Sequence, residues 1–266
     1  MLMKRLLTIS ALLLLALSCG RNDGAELVEW TFDAPSTKAS LSGDGSFSWD
    51  KGDEIAVWDG TSSSFVTFTS PSGSSRFSAT APANADFTDV AYFPASMAKN
   101  RTTVTLDGEI MPMYAAVEDD SQVLHFKHLT AYLKVQIAGA PASMNHLVLS
   151  SPTVSLGGDF SPVTVDGVKV IQAAAGTAAA ELDFSLAGSQ DITFTLPVPV
   201  GTYAVSYVLE SSSSPLTVSR STAPITFERA HLYTLAPATL SADGDFYSVS
   251  LECEPFNLEG DTDNWE

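Results

Sequence analysis

The sequence predicts an all-β protein made of antiparallel β-sandwiches. Apolar and polar residues alternate over short segments along most of the chain, which is the pattern of strands with one buried face. Clusters of Gly, Pro, Asp and Ser separate these segments at intervals of roughly 10 to 15 residues, as turns do. No window places apolar residues at helical spacing. Many short strands without helices favour packed antiparallel sheets.

The alternating segments fall into two groups along the chain. The dipeptide Asp59-Gly60, typical of a hairpin turn, follows a segment of the first group. An uncharged stretch at 138–142 separates the groups, and we place a domain boundary there, between residues 138 and 139. The predicted strands before it are 27–32, 46–49, 54–58, 65–69, 90–94, 103–106, 123–126 and 131–137. Those after it are 145–149, 163–165, 167–171, 191–196, 203–209, 216–218, 225–227, 232–235 and 246–251.

Residues 1–19 have the organisation of an export signal. Lys4 and Arg5 precede an apolar run of 12 residues, 6–17, which is shorter than the roughly 20 residues that a membrane-spanning helix needs. Cys19 follows Ser18, and the segment resembles a bacterial lipoprotein signal, in which the cysteine is lipidated and becomes the first residue. Ala16 stands where that signal usually has Leu. We expect a lipid on Cys19, with an ordinary secretory signal as the alternative.

These observations divide the chain into five predicted parts. Residues 1–18 form the signal peptide and residues 19–26 a lipidated tether. Residues 27–138 form an N-terminal β-sandwich and residues 139–258 a C-terminal one, followed by an acidic tail at 259–266.

The protein is strongly acidic, which excludes two classes of partner. It has 13 Lys and Arg residues against 31 Asp and Glu residues, a net charge of −18, and loss of Lys4 and Arg5 with the signal makes this −20. Nucleic-acid binding depends on Lys and Arg neutralising phosphates, so no nucleic-acid partner is expected. Docking on anionic lipid through a basic patch is disfavoured for the same reason. Membrane attachment is expected through the lipid on Cys19 alone.

No pattern of catalytic residues is recognisable, and we predict no catalysis, no cofactor and no metal. A Gly-rich phosphate loop, a nucleophile elbow and a metalloprotease helix motif are all missing from the sequence. His125 and His128 are three residues apart, on opposite faces of a strand, and are expected at the surface or at an edge. Acidic residues around Asp50 and Asp53 and at 118–120 lack the EF-hand pattern, so we interpret them as solvated loop charge.

Two tryptophans, Trp49 and Trp58, are candidates for a sugar-stacking platform. They are nine residues apart, in segments that are expected to pair. Core packing is the stronger explanation for aromatic residues at alternating positions.

Several segments, in a fixed order, resemble the fimbrillin-like proteins of the Bacteroidetes, the lipoprotein subunits of type V pili. Each motif consists of packing and turn residues, and the ordered set spans most of the chain after the signal. The segments are 47–58 (FSWDKGDEIAVW), 91–95 (AYFPA), 110–115 (IMPMYA), 124–135 (LHFKHLTAYLKV), 201–203 (GTY) and 231–235 (HLYTL).

The resemblance implies two transthyretin-like β-sandwich domains in an outer-membrane lipoprotein of the cell surface or fimbrium. It implies a pilus structural, anchor or adhesive tip subunit, whose partners are other fimbrial subunits or further copies of itself, and a host protein or glycan as ligand. In polymerising members a protease removes the first strand, and a strand of the next subunit fills the groove by β-augmentation. The removable strand would carry Leu27, Val28, Trp30 and Phe32.

The candidate donor segment is 246–256, near the C-terminus. Alternation places Tyr247, Val249, Leu251 and Cys253 on its apolar face, although the same segment could instead complete its own sandwich. The family's processing follows an Arg after the first strand, whereas this chain has no Arg between Arg21 and Arg76.

One alternative function remains open at the level of sequence. A surface glycan-binding lipoprotein of a polysaccharide-uptake system would also be lipidated, acidic and all-β.

Overall fold

The alternating segments fold almost entirely into strands. A computed structural model describes residues 26–35, 49–117, 121–211, 217–240, 246–247 and 255–257. Within these ranges the chain forms strands and a single 3-10 turn, Ala95–Met97, with no α-helix. The prediction of an all-β protein with antiparallel sheets is confirmed. None of the described residues forms a helix with the length and apolar character that crossing a membrane requires.

A seven-stranded antiparallel sheet dominates the first half of the chain. Its strand order is β1-β4-β3-β2-β5-β8-β9, so β1 lies at one edge. A smaller sheet places β7 between β6 and a strand of the second half, residues 158–160. The strands of this half are β1 (Leu27–Asp33), β2 (Glu54–Asp59), β3 (Ser64–Thr69), β4 (Arg76–Pro82), β5 (Val90–Phe93), β6 (Ala98–Asn100), β7 (Thr103–Leu106), β8 (Met113–Ala116) and β9 (Lys127–His128).

The second half is organised around one long strand, β10 (Ala131–Ala140). The strands after it are β11 (Met144–Ser150), β12 (Gly158–Phe160), β13 (Val163–Val165), β14 (Val168–Val170), β15 (Ala180–Asp183), β16 (Gln190–Val198), β17 (Gly201–Tyr203), β18 (Ser206–Ser211), β19 (Thr217–Ser221), β20 (Ile225–Phe227), β21 (His231–Thr234), β22 (Ala238–Leu240), β23 (Phe246–Tyr247) and β24 (Pro255–Asn257). A second sheet has the order β15-β11-β18-β19, and β13-β14 and β17-β20 are two-stranded ribbons.

The sheet around β10 is mixed rather than purely antiparallel. One flank of β10 pairs with β16 in an antiparallel ladder. The other flank pairs with β21 at Tyr132–Lys134 and with β22 at Ile137 and Ala138, both in parallel. Since a strand has only two flanks, β21 and β22 are consecutive pieces lying along the same side of β10. Outside them, β24 pairs with β21 and β23 with β22, both antiparallel.

Two large hydrophobic cores fill the two halves. The first draws its buried residues from Phe32 to Phe126, and the second from Ala131 to Leu235. Alternation explains this division, because the inward-facing positions of each strand supply one core.

A third core cluster and a shared sheet join the two halves. The strand β12 of the second half pairs with β7 of the first half, opposite residues 104–106. Lys99 of β6, in the same sheet, forms an ion pair with Asp159 of β12. The cluster takes residues from both halves, namely Val90, Tyr92, Met97, Val104, Leu106, Tyr114, Leu129, Phe160 and Ile171.

The predicted linker at 138–142 is not a linker. Residues 138–140 are the end of β10, and Pro141 begins the short turn that leads into β11. Small residues at this position form a tight connection between strands of two different sheets. The boundary between 138 and 139 therefore falls inside a strand, and the division into two sandwich domains stays a prediction.

A second correction concerns the segment 123–126, which was predicted as a strand. Only Val123 pairs, in an isolated parallel bridge with Asp33. Leu124 and Phe126 are fully buried, so the alternation identified the buried face correctly. The segment is extended without a ladder, because apolar alternation reports burial and not hydrogen-bond partners.

A buried carboxylate organises the turn after β2. Asp59 is 2% exposed, and its Oδ1 accepts hydrogen bonds from the backbone N–H groups of Thr61 and Asp86, each at 2.9 Å. Burial alone would raise the pKa of this carboxyl. The hydrogen bonds from Asp86, Ser62 and Thr61 outweigh burial and hold the pKa of Asp59 below its ordinary value.

We expect Asp59→Asn to lower the free energy of unfolding by about 1 to 3 kcal/mol at pH 7, because the hydrogen bonds in this buried turn lose their charged acceptor. A carboxyl group whose pKa is lower in the folded state stabilises the folded protein at pH values above its unfolded-state pKa of about 3.9. The difference between wild type and variant should therefore shrink as the pH falls through the folded-state pKa. Urea denaturation at neutral and acidic pH measures this difference in the free energy of unfolding. Asp107→Asn, at an exposed carboxylate after β7, is the control, and equal losses in both variants would contradict the assignment.

Candidate functional site

The edge strand β1 carries the residues that were predicted to be removable. It pairs along its whole length with β4, from Leu27 opposite Pro82 to Asp33 opposite Arg76. Only the Thr69–Ser78 pair connects β4 to its other neighbour, β3. The place of β4 in the sheet therefore depends chiefly on β1.

The inner face of β1 inserts two aromatic side chains into the first core. Phe32 is 4% exposed and packs edge-on against Phe68 and Phe87, at centroid distances of 5.1 and 6.1 Å. Trp30 packs edge-on against Phe87 at 5.1 Å, and its indole N–H donates to the Pro82 carbonyl at 3.2 Å. Leu27, at the other end of the strand, is 65% exposed. The anchoring contacts of β1 are thus concentrated towards its C-terminal end.

The backbone of β1 alternates between its two flanks. The Ala34 N–H donates to the Ser75 carbonyl and the Ala83 N–H to the Glu26 carbonyl, at 2.7 and 2.8 Å. The even-numbered residues of β1 therefore face β4, and the odd-numbered ones face the opposite flank. On that flank Asp33 donates to the Gln122 carbonyl at 2.7 Å.

The segment after residue 121 bounds the same flank. The Leu124 N–H donates to the Asp33 carbonyl at 2.8 Å, which closes the isolated bridge at Val123. Removal of β1 would leave a groove between this segment and β4, with the site of Phe32 as its apolar floor.

The C-terminal segment lies at the edge of the mixed sheet. Its described parts, β23 and β24, are the outermost strands beyond β22 and β21. Of the predicted donor residues, Tyr247 is opposite Thr239 in that ladder. Val249, Leu251 and Cys253 lie outside the described residues, as does Cys19. The described ends of the segment pair within their own chain, in a position from which an edge strand can leave without opening interior ladders.

The two tryptophans of the predicted sugar platform have different environments. Trp49 is 4% exposed and packs edge-on against Phe77, Phe93 and Phe126. Its indole N–H donates to the Ala34 carbonyl at 2.8 Å. Trp49 is a core residue and is not accessible to a ligand. The two tryptophans therefore do not form one platform.

Trp58 is half-buried and lines a polar cleft of about 240 Å³. Arg101 forms an ion pair with Asp89 there, and the Thr88 hydroxyl donates to Asp86 at 2.6 Å. The sequence pattern identified Trp58 but not Asp86, Thr88, Asp89 and Arg101, which lie 28 to 43 positions further along the chain. The one available signal was the rarity of cations, of which Arg101 is one.

The histidines and acidic turns hold no metal site among the described residues. His125 is exposed, as expected, but His128 is fully buried and its Nδ1 lies 2.7 Å from the Tyr132 hydroxyl. The expectation of a surface or edge position therefore holds for His128 only as an edge position, because His128 lies on β9, the last strand of the seven-stranded sheet, with its side chain buried. In the turn after Trp49, the Asp50 N–H donates to Asp53, and burial, together with the Asp50 charge, raises the pKa of Asp53.

We expect Phe32→Ala to lower the free energy of unfolding by about 3 to 5 kcal/mol, since it leaves a cavity beside Phe68 and Phe87. Leu27→Ala on the same strand should change it by less than about 0.5 kcal/mol, because Leu27 is exposed. Chemical denaturation of both variants tests this contrast. Similar losses would show that β1 is not anchored through its C-terminal end.

Comparison with known proteins gives matches at the level of structure. No family model and no curated protein sequence matches the chain. A candidate cell adhesion protein from Bacteroides ovatus superposes with a TM-score of 0.53 at 13% identity, over 85% of this chain and 98% of its own. One from Bacteroides fragilis gives 0.44 at 12% identity, over 86% and 97%. The tip fimbrial protein Mfa3 from Porphyromonas gingivalis, with a C-terminal truncation, gives 0.35 at 11% identity, over 87% and 99%.

The likeness to the Bacteroides ovatus protein shows a shared fold over nearly the whole of both chains.

Proposed function

We propose that this protein is a non-catalytic, fimbrillin-like subunit of a cell-surface fibre. It is exported as an outer-membrane lipoprotein anchored through Cys19, and it joins other subunits by strand exchange at β1. The observation that carries the proposal is the position of β1, an edge strand whose aromatic side chains fill part of the first core. The adhesion and fimbrial neighbours support the same class of role.

The energetics of β1 explain why a vacated groove would take up a new strand. Without β1, the backbone groups of β4 that face it lose their partners, and unpaired buried backbone groups are costly. The site of Phe32 would be an apolar hole, and refilling it with a similar side chain is worth about 2 to 3 kcal/mol. A strand that supplies both the backbone ladder and an alternating apolar face meets both demands. Its register is fixed because a slip by one residue would turn the polar face inward.

The C-terminal segment is the candidate donor. Its apolar face carries Tyr247, Val249, Leu251 and Cys253, and its described ends lie at a sheet edge. Release of this segment breaks only the outermost pairings of the mixed sheet. The missing Arg after β1 means either that a protease of another specificity removes β1 or that the subunit stays on its lipid as an anchor or tip.

Strand exchange predicts that a lipid-free chain without residues 27–32 forms ladders on native gels and oligomers by light scattering. Deletion of 246–266 should abolish them, and an excess of a synthetic peptide of residues 26–34 should restore monomers by occupying the groove. Leu251→Asp should block assembly, whereas Ser250→Asp, on the opposite face of the segment, should permit it.

The peptide of residues 26–34 also distinguishes failure to fold from failure to assemble. If the chain without residues 27–32 folds only when this peptide is present, the peptide must occupy the groove that β1 leaves. A folded chain that remains monomeric and binds no peptide would refute strand exchange at β1.

A second candidate function, glycan binding, is favoured by the cleft at Trp58. An aromatic ring beside carboxylates and a guanidinium offers a stacking surface together with hydrogen-bond partners for hydroxyl groups. The residues that line the cleft are Trp58, Gly60, Asp86, Thr88, Asp89 and Arg101. This function is compatible with an adhesive subunit.

Glycan binding predicts that Trp58→Ala weakens the affinity for a bound polysaccharide about tenfold, the equivalent of 1.4 kcal/mol. Trp30→Ala, which removes a half-buried tryptophan outside the cleft, is the control and should leave affinity unchanged. Calorimetry on ligands from a broad glycan array measures both. The absence of any ligand on the array, or equal effects of the two variants, would exclude this cleft as a sugar site.

A further inference from the structure

The long strand β16 forms an edge of the second half of the protein. Among the described strands it pairs only with β10, so its other flank, the outer flank, faces away from the sheet. Thr193, in the middle of the strand, is exposed. An edge strand with free backbone groups invites pairing with a strand of another chain.

The register shows which backbone groups of β16 lie on the outer flank. The Leu235 N–H donates to the Lys134 carbonyl at 3.0 Å, so the backbone of Lys134 faces β21 and not β16. Thr195 is opposite Lys134 and therefore points its own N–H and carbonyl to the outer flank, as the other odd-numbered residues of β16 do. Within the described parts of the chain, no backbone hydrogen bond reaches Asp191 or Thr193 on this flank.

A carboxylate from the first half of the chain occupies the amide of Thr195. Glu109, in the loop between β7 and β8, accepts a hydrogen bond from the Thr195 N–H through Oε1 at 2.6 Å. A charged acceptor makes this bond stronger than one between two backbone groups. Pro197, two residues further on, has no N–H to offer on the same flank. Charges and prolines of this kind protect edge strands against unwanted pairing.

The loop that carries Glu109 is fixed on both sides of this residue. Ile110 packs against the core cluster that joins the two halves. Gly108 has a positive φ of 65°, and a Cβ there would lie 3.8 Å from the Leu182 Cδ1 atom of β15. The loop therefore reaches the edge strands of two sheets of the second half, β15 and β16. This anchoring holds the carboxylate of Glu109 at the outer flank.

We propose that the outer flank of β16 is a pairing surface for a second copy of this chain, and that Glu109 keeps this surface closed. The strand is complementary to itself in an antiparallel arrangement about Thr193. Thr193 would be opposite the second copy's Thr193, which is a favourable cross-strand pair. Asp191 would be opposite the second copy's Thr195, so no like charges are opposed.

Glu109 competes directly with this arrangement. In the paired strands the Thr195 N–H would donate to the Asp191 carbonyl of the second copy, whereas in the monomer this N–H donates to Glu109. The carboxylate and the incoming carbonyl are both acceptors and cannot share the position. Two-fold symmetry doubles the effect, because each dimer would displace two carboxylates. The inference concerns β16 and stands whether or not the chain assembles through β1.

The test measures self-association of the lipid-free full chain with β1 in place. Sedimentation velocity at increasing protein concentration gives the dimer dissociation constant, at physiological salt and with a reductant that prevents a disulfide through Cys253. We expect Glu109→Ala to dimerise at concentrations at least about tenfold lower than the wild type does. Asp107→Ala is the matched control, since it removes the same charge from an exposed position of the same loop. It should associate no more than the wild type.

A second variant locates the association on β16. Thr193→Pro, added to Glu109→Ala, removes the N–H at the centre of the proposed ladder, at an edge position where proline is tolerated. This double variant should be monomeric. Hydrogen exchange of the Thr195 amide should be faster in Glu109→Ala than in the wild type in dilute solution, and it should slow as the protein concentration rises. Circular dichroism confirms that each variant retains the fold.

Three outcomes would overturn the proposal. One is a Glu109→Ala variant that stays as monomeric as the wild type over the same concentrations. Another is equal association of Glu109→Ala and Asp107→Ala, which would assign the effect to net charge. The third is association that persists in the double variant, which would place the contact on another surface of the molecule.

Discussion

The first half of the molecule depends on the pairing of β1 with β4. Seven positions of β4 are paired with β1, and one is paired with β3. The side chains of β4 cannot replace this pairing, because Phe77 is its only large apolar residue and the other inward positions are Ala79 and Ala81. β4 is held by backbone hydrogen bonds more than by packing. Without β1, the flank of β4 that faces it would be unpaired, and any strand with the right alternation could restore the pairing.

The two halves of the protein are joined by packing as well as by the chain. Tyr92, on β5, is fully buried in the shared cluster, and its hydroxyl donates to the Arg101 carbonyl at 3.2 Å. Burial, with a contribution from the charge of Asp89, raises its pKa to about 12. From the second half, Phe160 and Ile171 enter the same cluster. Exchange of an edge strand in either half would therefore leave this joint intact, because neither β1 nor β24 contributes to it.

Sequence patterns predicted those parts of the fold in which alternation involves large side chains. β2, β3 and β16 were found within two residues at each end for this reason, and β10 within three. β4 was missed, since the segment RFSATAP alternates mainly between Ala and hydroxyl residues and carries a weak apolar signal. The burial of His128 could not be predicted either, because it depends on Tyr132, a contact that no period reports.

The candidate sites could likewise be predicted only as far as alternation along single segments allows. β1 was identified as an alternating first segment, but its edge position is a property of the topology. The cleft at Trp58 could not be assembled from sequence, because the fold brings Asp86 and Asp89, from the loop before β5, together with Arg101, from the turn after β6. The ribbon of β13 and β14 was predicted as two strands, but the exposure of Val163 and Val165 is known only from the structure.

The acidity of the chain bears on how an edge strand is used. Edge strands invite pairing with any other edge, which leads to aggregation. Pairing of β1 with β1 of a second copy would bring Glu29 and Asp33 of both copies together, at a cost of a few tenths to about 1 kcal/mol for each opposed pair. Such pairing of two β1 strands would bury no new aromatic side chain. Insertion of a donor strand into the vacated groove would recover about 2 to 3 kcal/mol at the site of Phe32 alone. The negative side chains of Glu29 and Asp33 therefore disfavour simple edge pairing. The apolar floor of the vacated groove, at the site of Phe32, favours exchange of the strand itself.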